Sequence, residues 1–491
     1  MTRHVDVAII GAGFAGIGAA VALDRAGRGD FLVFERAEVV GGTWRDNVYP
    51  GVACDIPSHL YGFSFMPNPE WTRRFAPGAE IRAYLEHVVA STGIADRLRF
   101  GAALLAAVWD EAAGCWRIET ARGPVTAGAL VLACGRLSEP RIPEVPGIAS
   151  FRGPIFHSAR WDTGADLSGK RVAVIGTGAS AIQLAPELAR DAEVTVFQRS
   201  PAWILPRDDR DYSPDERRAF AAEPERMAAE RREAYLAGEA MLAQRFGDPA
   251  AVGAVRARAL AHLERHVPDP ATRAALTPEY EIGCKRIVFS DDFYPAVTSG
   301  AIRLEASALV AIDHGELVAA SGARHEVDAV VFATGFESSR QPYADLVRGT
   351  EATLAEHWAH GMVSHASTMV AGFPNCFILD GPNASLGHNS SILMIEAQLD
   401  YLLAALEHLD ARGDHRLEVT TAAEREYTRR IDEIAASTVW LSGCRSWYLD
   451  DATGRLALLW PGSVDEFRER GAAFDRSAFV PDLADALVPS V

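Results

Sequence analysis

The stretch Val5-Asp-Val-Ala-Ile-Ile-Gly-Ala-Gly-Phe-Ala-Gly16 decides the fold. Its first six residues are apolar and β-branched enough to predict a short strand buried in a parallel sheet. Gly11 then permits a tight turn, Gly13 lets backbone approach a pyrophosphate, and Gly16 lets the following helix pack closely. Unpaired N–H groups at the start of that helix attract an anion. The sequence therefore predicts a dinucleotide-binding unit at its amino end.

Two further features of this unit predict FAD as its ligand. A second predicted strand closes on Glu35, where a carboxylate can accept hydrogen bonds from both hydroxyls of an unphosphorylated ribose. The run Gly42-Thr43-Trp44 suits a backbone that approaches a flavin and an aromatic ring that covers it, although a mobile hinge loop has a similar composition. Asp55, in an apolar run bounded by proline, would be a buried carboxylate in need of a cation.

A second glycine loop predicts a second nucleotide unit. The strand Arg171–Ile175 leads into Gly176-Thr-Gly178-Ala-Ser180 and a helix, and the next strand ends on Gln198-Arg199 without an acid. A guanidinium at this position pairs with a 2′-phosphate and offers nothing to two free ribose hydroxyls. We therefore expect NADPH rather than NADH here.

The order of these motifs along the chain predicts the domain organisation. We expect an α/β fold with two Rossmann-like domains: residues 1–149 and 331–491 form the FAD domain, and residues 150–330 form an NADP domain inserted in it. An Ala-, Glu- and Arg-rich stretch at about 210–275 predicts two or three helices acting as a solvated cover. Asn389 precedes a long predicted helix whose amino end would face the flavin, although an ordinary cap needs only Asn389 or Ser390.

The overall composition and charge of the chain limit the classes of partner that it can bind. A chain of 491 residues predicts two or three domains, and a net charge of −18 disfavours nucleic acid. The six cysteines include no C-x-x-C pair, so neither a disulfide framework nor a metal site is expected. No long apolar run or leader is apparent, which favours a cytoplasmic protein without membrane contact. The oligomeric state stays open.

Two such units in one chain predict hydride transfer from NADPH to FAD, and three uses of the reduced flavin follow. A disulfide reductase needs a cysteine pair beside the flavin, and no such pair is apparent in the sequence. Electron transfer to a partner leaves Asp55 and Arg286 unexplained. Oxygen activation remains, and a fixed cation near the flavin would stabilise a peroxide anion.

The segment between the two units carries a family pattern. Phe151-x-Gly153-x-x-x-His157-x-x-x-Trp161-Asp162, together with Gly41-Gly-Thr-Trp44 and Ala333-Thr-Gly335, resembles the Baeyer–Villiger monooxygenases over nearly the whole chain. The N- and S-oxygenating flavin monooxygenases differ at this position. An isolated histidine is more often structural than catalytic, so we expect His157 and Trp161 to fix a hinge between the domains.

The resemblance also implies roles for individual residues. Arg286 is similar to the family's catalytic arginine beside the flavin C4a, and Asp55 to the carboxylate that orients it. Lys285 and Arg199 resemble the residues that hold the 2′-phosphate. Trp447 resembles a tryptophan that packs on the nicotinamide cofactor.

The implied reaction uses NADPH and O2 to convert a small-molecule ketone into an ester or lactone through a C4a-peroxyflavin. Two alternatives are an N- or S-oxygenating flavin monooxygenase and a non-oxygenating flavoprotein that acts as a sensor or interaction protein. The sequence leaves the ketone open, because the loops near Ser58–Phe65, 205–290 and Ser442–Tyr448 carry mixed side chains.

Overall fold

The structure is a computed structural model that describes residues 2–412 and 416–481. Its strands are β1 Arg3–Ile10, β2 Phe31–Phe34, β3 Leu98–Arg99, β4 Leu104–Asp110, β5 Cys115–Thr120, β6 Gly123–Leu132, β7 Ile155–His157, β8 Arg171–Ile175, β9 Glu193–Phe197, β10 Ile204–Leu205, β11 Val288–Phe289, β12 Ile302–Glu305, β13 Leu309–Asp313, β14 Glu316–Ala319, β15 Arg324–Glu326, β16 Ala329–Phe332, β17 Val347–Arg348 and β18 Cys376–Ile378. Its helices are α1 Phe14–Arg25, α2 Thr43–Asp46, α3 Gly78–Thr92, α4 Ala179–Leu188, α5 Pro214–Ala222, α6 Pro224–Glu239, α7 Leu242–Arg245, α8 Pro249–His266, α9 Pro270–Leu276, α10 Phe293–Thr298, α11 Leu354–His357, α12 Ser391–Arg412, α13 Thr421–Ala435 and α14 Val464–Ala472.

The first sheet grows around β1, as its apolar sequence predicts. β1 lies between β2 and β6 and is parallel to both, while β4, β5 and β6 form an antiparallel meander. The order is β17-β4-β5-β6-β1-β2-β3, with β18 pairing with the end of β6. The first glycine loop therefore leaves the carboxyl edge of the central strand.

The second sheet is parallel throughout, in the order β12-β9-β8-β16-β7. The family pattern includes an edge strand of this sheet, because β7 pairs with β16 and sets His157 opposite Phe332. A β-carbon on Gly153 would lie 2.1 Å from the carbonyl oxygen of Asp328, so only glycine lets the chain approach β16 here. The segment that carries the family pattern is thus partly a sheet edge. The two expected Rossmann-like units are confirmed.

The helical insert lies between β10 and β11 and contains more helices than expected. Four helices begin between residues 212 and 266, and α9 follows them. Pro214, Pro224, Pro249 and Pro270 each stand at the start of a helix. Proline is tolerated in a first turn and cannot continue a preceding helix, so the prolines divide the insert.

A polar contact joins the two nucleotide units. The amide of Gln183, on α4, donates to the carbonyl oxygen of Ala53 at 3.1 Å and accepts from the Tyr49 hydroxyl at 3.1 Å. The run that leads to Asp55 is therefore held against the second unit. Within the described part of the chain, no helix is long and apolar enough to cross a membrane.

Candidate active site

A cavity of about 1650 Å³ lies between the two units and is lined by both glycine loops. It borders the carboxyl ends of β1 and β8, the edge at which nucleotides bind in open α/β sheets. All three loop regions expected to form a substrate pocket contribute to its wall, including His59, Met241 and Tyr448.

The first glycine loop has the shape that a dinucleotide requires. Gly11 has φ +107°, and a β-carbon there would lie 2.4 Å from the Ala133 carbonyl oxygen. A β-carbon on Gly16 would lie 1.9 Å from the carbonyl oxygen of Gly11. Gly13 approaches Gly42, so the two glycine-rich segments meet at the cavity wall. Side chains at these positions would displace the backbone that faces a pyrophosphate.

Glu35 lies where the sequence placed it, directly after β2 and at the cavity wall. Its carboxylate accepts from the Ala12 N–H at 2.8 Å and from the Ala37 N–H at 2.9 Å. Arg45 Nη1 also donates to it at 2.8 Å. Arg45 gave no signal in the sequence, because no local pattern joins the end of β2 to a residue on α2.

The Gly42–Trp44 run also borders the cavity. Gly42 has φ +51° and precedes α2, which begins at Thr43. The Trp44 indole is buried, donates to the Tyr61 hydroxyl at 3.3 Å and meets that ring edge-on. Two aromatic rings are therefore fixed against one another beside the first loop.

Asp55 and Arg286 form an ion pair in the cavity wall. Arg286 Nη2 lies 2.5 Å from Asp55 Oδ2, which supplies the cation that a buried aspartate was expected to need. The Asp55 side chain is 15% exposed and that of Arg286 is 40% exposed, on a surface that lines the cavity. The negative charge of Asp55 raises the pKa of Arg286 further above its ordinary value, against the opposing effect of burial. The guanidinium therefore presents a permanent positive charge to the cavity.

Two further cations lie at the second glycine loop. Gly176 has φ +121°, whereas a β-carbon on Gly178 would enter open space. Burial lowers the pKa of Lys285, and the positive charge of Arg199 lowers it further. Among the described residues, no carboxylate lies within ion-pair distance of either side chain. Ser180 lines the cavity in the first turn of α4. This arrangement suits a phosphate group.

Asn389 and Trp447 also reach the cavity wall. Asn389 precedes α12, but its amide donates to Glu239 at 2.8 Å and to the Tyr235 carbonyl oxygen at 3.1 Å, both on α6. It therefore ties the insert to the amino end of α12, and its expected contact with a flavin stays a prediction. Trp447 packs against Tyr448 with ring centroids 4.5 Å apart.

The family-pattern histidine is buried behind the site. His157 Nδ1 accepts from the Ala159 N–H at 3.1 Å, and its ring meets Phe336 edge-on. Burial lowers the pKa of His157 to about 4, so the ring is neutral near pH 7. Trp161 packs on Phe156 in the second unit. These contacts agree with a structural role, and the hinge itself stays a prediction. Of the remaining pattern residues, Phe151 packs on the second unit's core and Asp162 accepts from the Gly164 N–H.

A second ion pair in the cavity wall was not predicted from the sequence. Arg136 pairs with Asp380, and it also donates to the Ser391 hydroxyl at 3.3 Å. Burial raises the pKa of Asp380, although Arg136 opposes the shift. The sequence held one signal for it, since Asp380 closely follows β18 at a strand's carboxyl end.

The expectation that no disulfide forms is wrong for one pair. Cys284 and Cys444 are bonded, whereas Cys54, Cys115, Cys134 and Cys376 are free. The two bonded residues are 160 positions apart, so no local spacing reveals them. The bond joins the loop of Lys285 and Arg286 to the loop of Trp447. Disulfides are rare in a reducing cytoplasm, and the cytoplasmic location stays a prediction.

Comparison with known proteins identifies the family. Residues 4–349 match the model of the flavin-binding monooxygenase-like family. A Baeyer–Villiger monooxygenase from Streptomyces coelicolor is 47% identical over 97% of this chain and 92% of its own length. The chain belongs to the Baeyer–Villiger monooxygenases. The resemblance expected from the Phe151–Asp162 pattern is thereby confirmed.

Solved structures agree with this assignment. A steroid monooxygenase bound to NADP matches with a TM-score of 0.84 and 31% identity, over 97% of this chain and 99% of that one. OTEMO in complex with FAD and NADP matches with a TM-score of 0.85 and 25% identity, over 98% and 100% of the two chains. The similarity thus extends over both nucleotide units of the Baeyer–Villiger fold and over its insert.

Proposed function

We propose that this Baeyer–Villiger monooxygenase inserts one atom of O2 beside the carbonyl of an uncharged small-molecule ketone, and that Arg286 is the residue on which this step depends. FAD and NADPH are its cofactors: NADPH supplies a hydride, and the reduced flavin activates oxygen. The observation that carries the proposal is the Asp55–Arg286 pair, which faces a cavity lined by both glycine loops.

The first unit holds FAD through backbone and one carboxylate. Gly11, Gly13 and Gly16 leave the amino end of α1 open to the pyrophosphate. Glu35 already accepts three hydrogen bonds, two of them on Oε1, so of about four lone-pair sites one remains on Oε2 for a ribose hydroxyl. Trp44, fixed by Tyr61, is placed beside the ring system.

The second unit holds NADPH by its phosphates. Gly178 leaves room for a pyrophosphate at the start of α4. Arg199 and Lys285 lie close enough to influence one another and lack carboxylate partners among the described residues, so a 2′-phosphate would neutralise both. A ribose without this phosphate would leave two cations unpaired, and NADH should bind more weakly.

Arg286 acts through its charge and its free donors. One amino group is engaged by Asp55, and the rest of the exposed guanidinium can donate to an oxygen that gains negative charge. Asp55 orients the arginine and holds it in place at the cavity wall. Because the donor is fixed in advance, little reorganisation is needed when charge develops.

The remaining wall suits a neutral substrate. Leu60, Met241 and Leu386 line it with apolar groups, and burial lowers the pKa of His59 to about 4, so this ring is neutral near pH 7. These apolar and neutral groups suit an uncharged ketone. The likeness to a steroid monooxygenase makes bulky cyclic ketones the first candidates.

The direct test is an isotope-labelled ketone panel. Purified FAD-loaded protein is given NADPH, ¹⁸O2 and cyclic, aromatic and steroidal ketones, with sulfides and amines assayed in parallel. We expect esters or lactones carrying one ¹⁸O atom, with one NADPH oxidised per product. Oxidation of NADPH that yields only hydrogen peroxide with every ketone, or that oxygenates only sulfides and amines, would overturn the proposal.

A further inference from the structure

The short helix α7 reaches from the insert to the loop that carries Arg286. Gln244 is 1% exposed, and its Nε2 donates to the Ile282 carbonyl oxygen at 2.6 Å. Arg245 is 5% exposed, and its Nη2 donates to the Gly387 carbonyl oxygen at 2.6 Å. The two side chains therefore enter the protein between loops of both nucleotide units.

The fit against the loop is tight. Gly283 has φ +90°, and a β-carbon on it would lie 2.5 Å from Gln244 Nε2 and 2.6 Å from Arg245 Nη1. The backbone at this position therefore rests directly on the two side chains. Arg286 follows three residues later, so a displacement of Gly283 would move the guanidinium relative to Asp55.

Burial of the Arg245 charge is energetically unfavourable, which is not expected of a residue on a helix that only shields the protein from solvent. Within the described residues, no carboxylate pairs with it. Burial lowers the pKa of Arg245, and the nearby positive charge of Arg286 lowers it further. A buried charge without a counter-ion is costly unless hydrogen bonds satisfy it, so the hydrogen bonds of Arg245 to its neighbours matter. The carbonyl oxygen of Gly387 and the loop at Gly283 are what Arg245 holds.

We propose that Gln244 and Arg245 are positioning residues that hold the Ile282–Arg286 loop, and thereby keep Arg286 in place at the site. The insert is then part of the active-site framework rather than a solvated cover. This inference rests on the proposed function of Arg286. Arg245 also borders the cavity, but the proposed action of both residues passes through the backbone of the loop and needs no contact with substrate or cofactor.

The structural arm of the test measures amide hydrogen exchange in the FAD-loaded enzyme. Arg245→Met and Gln244→Met keep most of the side-chain volume and remove the donors, while Arg232→Met changes an exposed arginine of the same insert. We expect at least tenfold faster exchange at residues 282–287 in the first two variants and no change in the third. Equal exchange in all three variants would overturn the proposal.

The kinetic arm separates positioning from general damage. We expect Arg245→Met to keep its flavin, to accept hydride from NADPH anaerobically within about twofold of wild type, and to lose at least tenfold in ketone product per NADPH. Arg245→Lys should recover part of this yield. Loss of flavin, hydride transfer and product in equal proportion would show a merely structural role and refute the proposal.

A double variant tests whether the effect passes through Arg286. Adding Arg245→Met to Arg286→Ala should cause no further loss of product yield, whereas independent actions would multiply. Failure of the proposed function gives a different result, because the wild-type enzyme would then form no ester while the exchange comparison would still report on the loop.

Discussion

The carboxylate of Asp55 offers the sharpest perturbation of the site. Replacing it by asparagine keeps the shape and removes the charge that faces Arg286 across 2.5 Å. Removing one partner of a fully buried ion pair costs about 3–5 kcal/mol. The Arg286 side chain is 40% exposed, so solvent screens part of this, and we expect about 2 kcal/mol. The free energy of unfolding should fall by this amount. A comparable loss of transition-state stabilisation by the misoriented guanidinium, at about 1.4 kcal/mol per factor of ten, would lower ketone oxygenation roughly thirtyfold.

The assay is kcat for ester formation, measured together with hydrogen peroxide release and the melting temperature. Asp313→Asn is the matched control, because Asp313 pairs with Arg324 on an exposed hairpin where the loss should be small. We expect Asp55→Asn to reduce flavin with NADPH nearly normally and to release more peroxide. If it oxygenated ketones at the wild-type rate with unchanged peroxide release, the role given to the pair would be refuted.

Other consequences concern the cofactors and the cysteines. The pKa of Lys285 is lowered, so its charge is lost at a lower pH than that of an ordinary lysine, and kcat/KM for NADPH should fall on the alkaline side. Lys285→Arg should abolish that fall, and NADH should not show it. Arg199→Ser should weaken NADPH binding about tenfold or more with little effect on NADH; an equal effect on both would contradict the phosphate site. Glu35→Gln should raise the dissociation constant of FAD about tenfold in a fluorescence titration, and unchanged affinity would count against the ribose contact. In denaturant, thiol titration should give four groups before reduction and six after it, because Cys284 and Cys444 are bonded; six from the start would exclude the bond.

Local patterns predicted the frame of the fold well. The two glycine loops and the strands that precede them follow from glycine placement and β-branched runs, which act over a few residues. The insert was underestimated because α5, α6, α8 and α9 share one composition and are separated only by prolines at their starts.

At the site, contacts between residues far apart in the sequence could not be predicted from local patterns. Physical reasoning predicted that Asp55 needs a cation, but its partner is 231 residues away and only the family resemblance pointed to Arg286. Gln244 and Arg245 gave no signal at all. Polar residues in a polar, helix-forming stretch are predicted to lie on the surface. Cys284 and Cys444 were missed for the same reason of distance.

The central claim is that Arg286 serves the oxygen step and not the hydride step. The most direct measurement compares FAD-loaded wild type with Arg286→Ala in two assays: anaerobic flavin reduction by NADPH, and ¹⁸O incorporation into a ketone that the wild type converts. The account predicts that the variant reduces its flavin and forms almost no labelled ester. A variant that binds FAD, accepts hydride and oxygenates the ketone at the wild-type rate would contradict it.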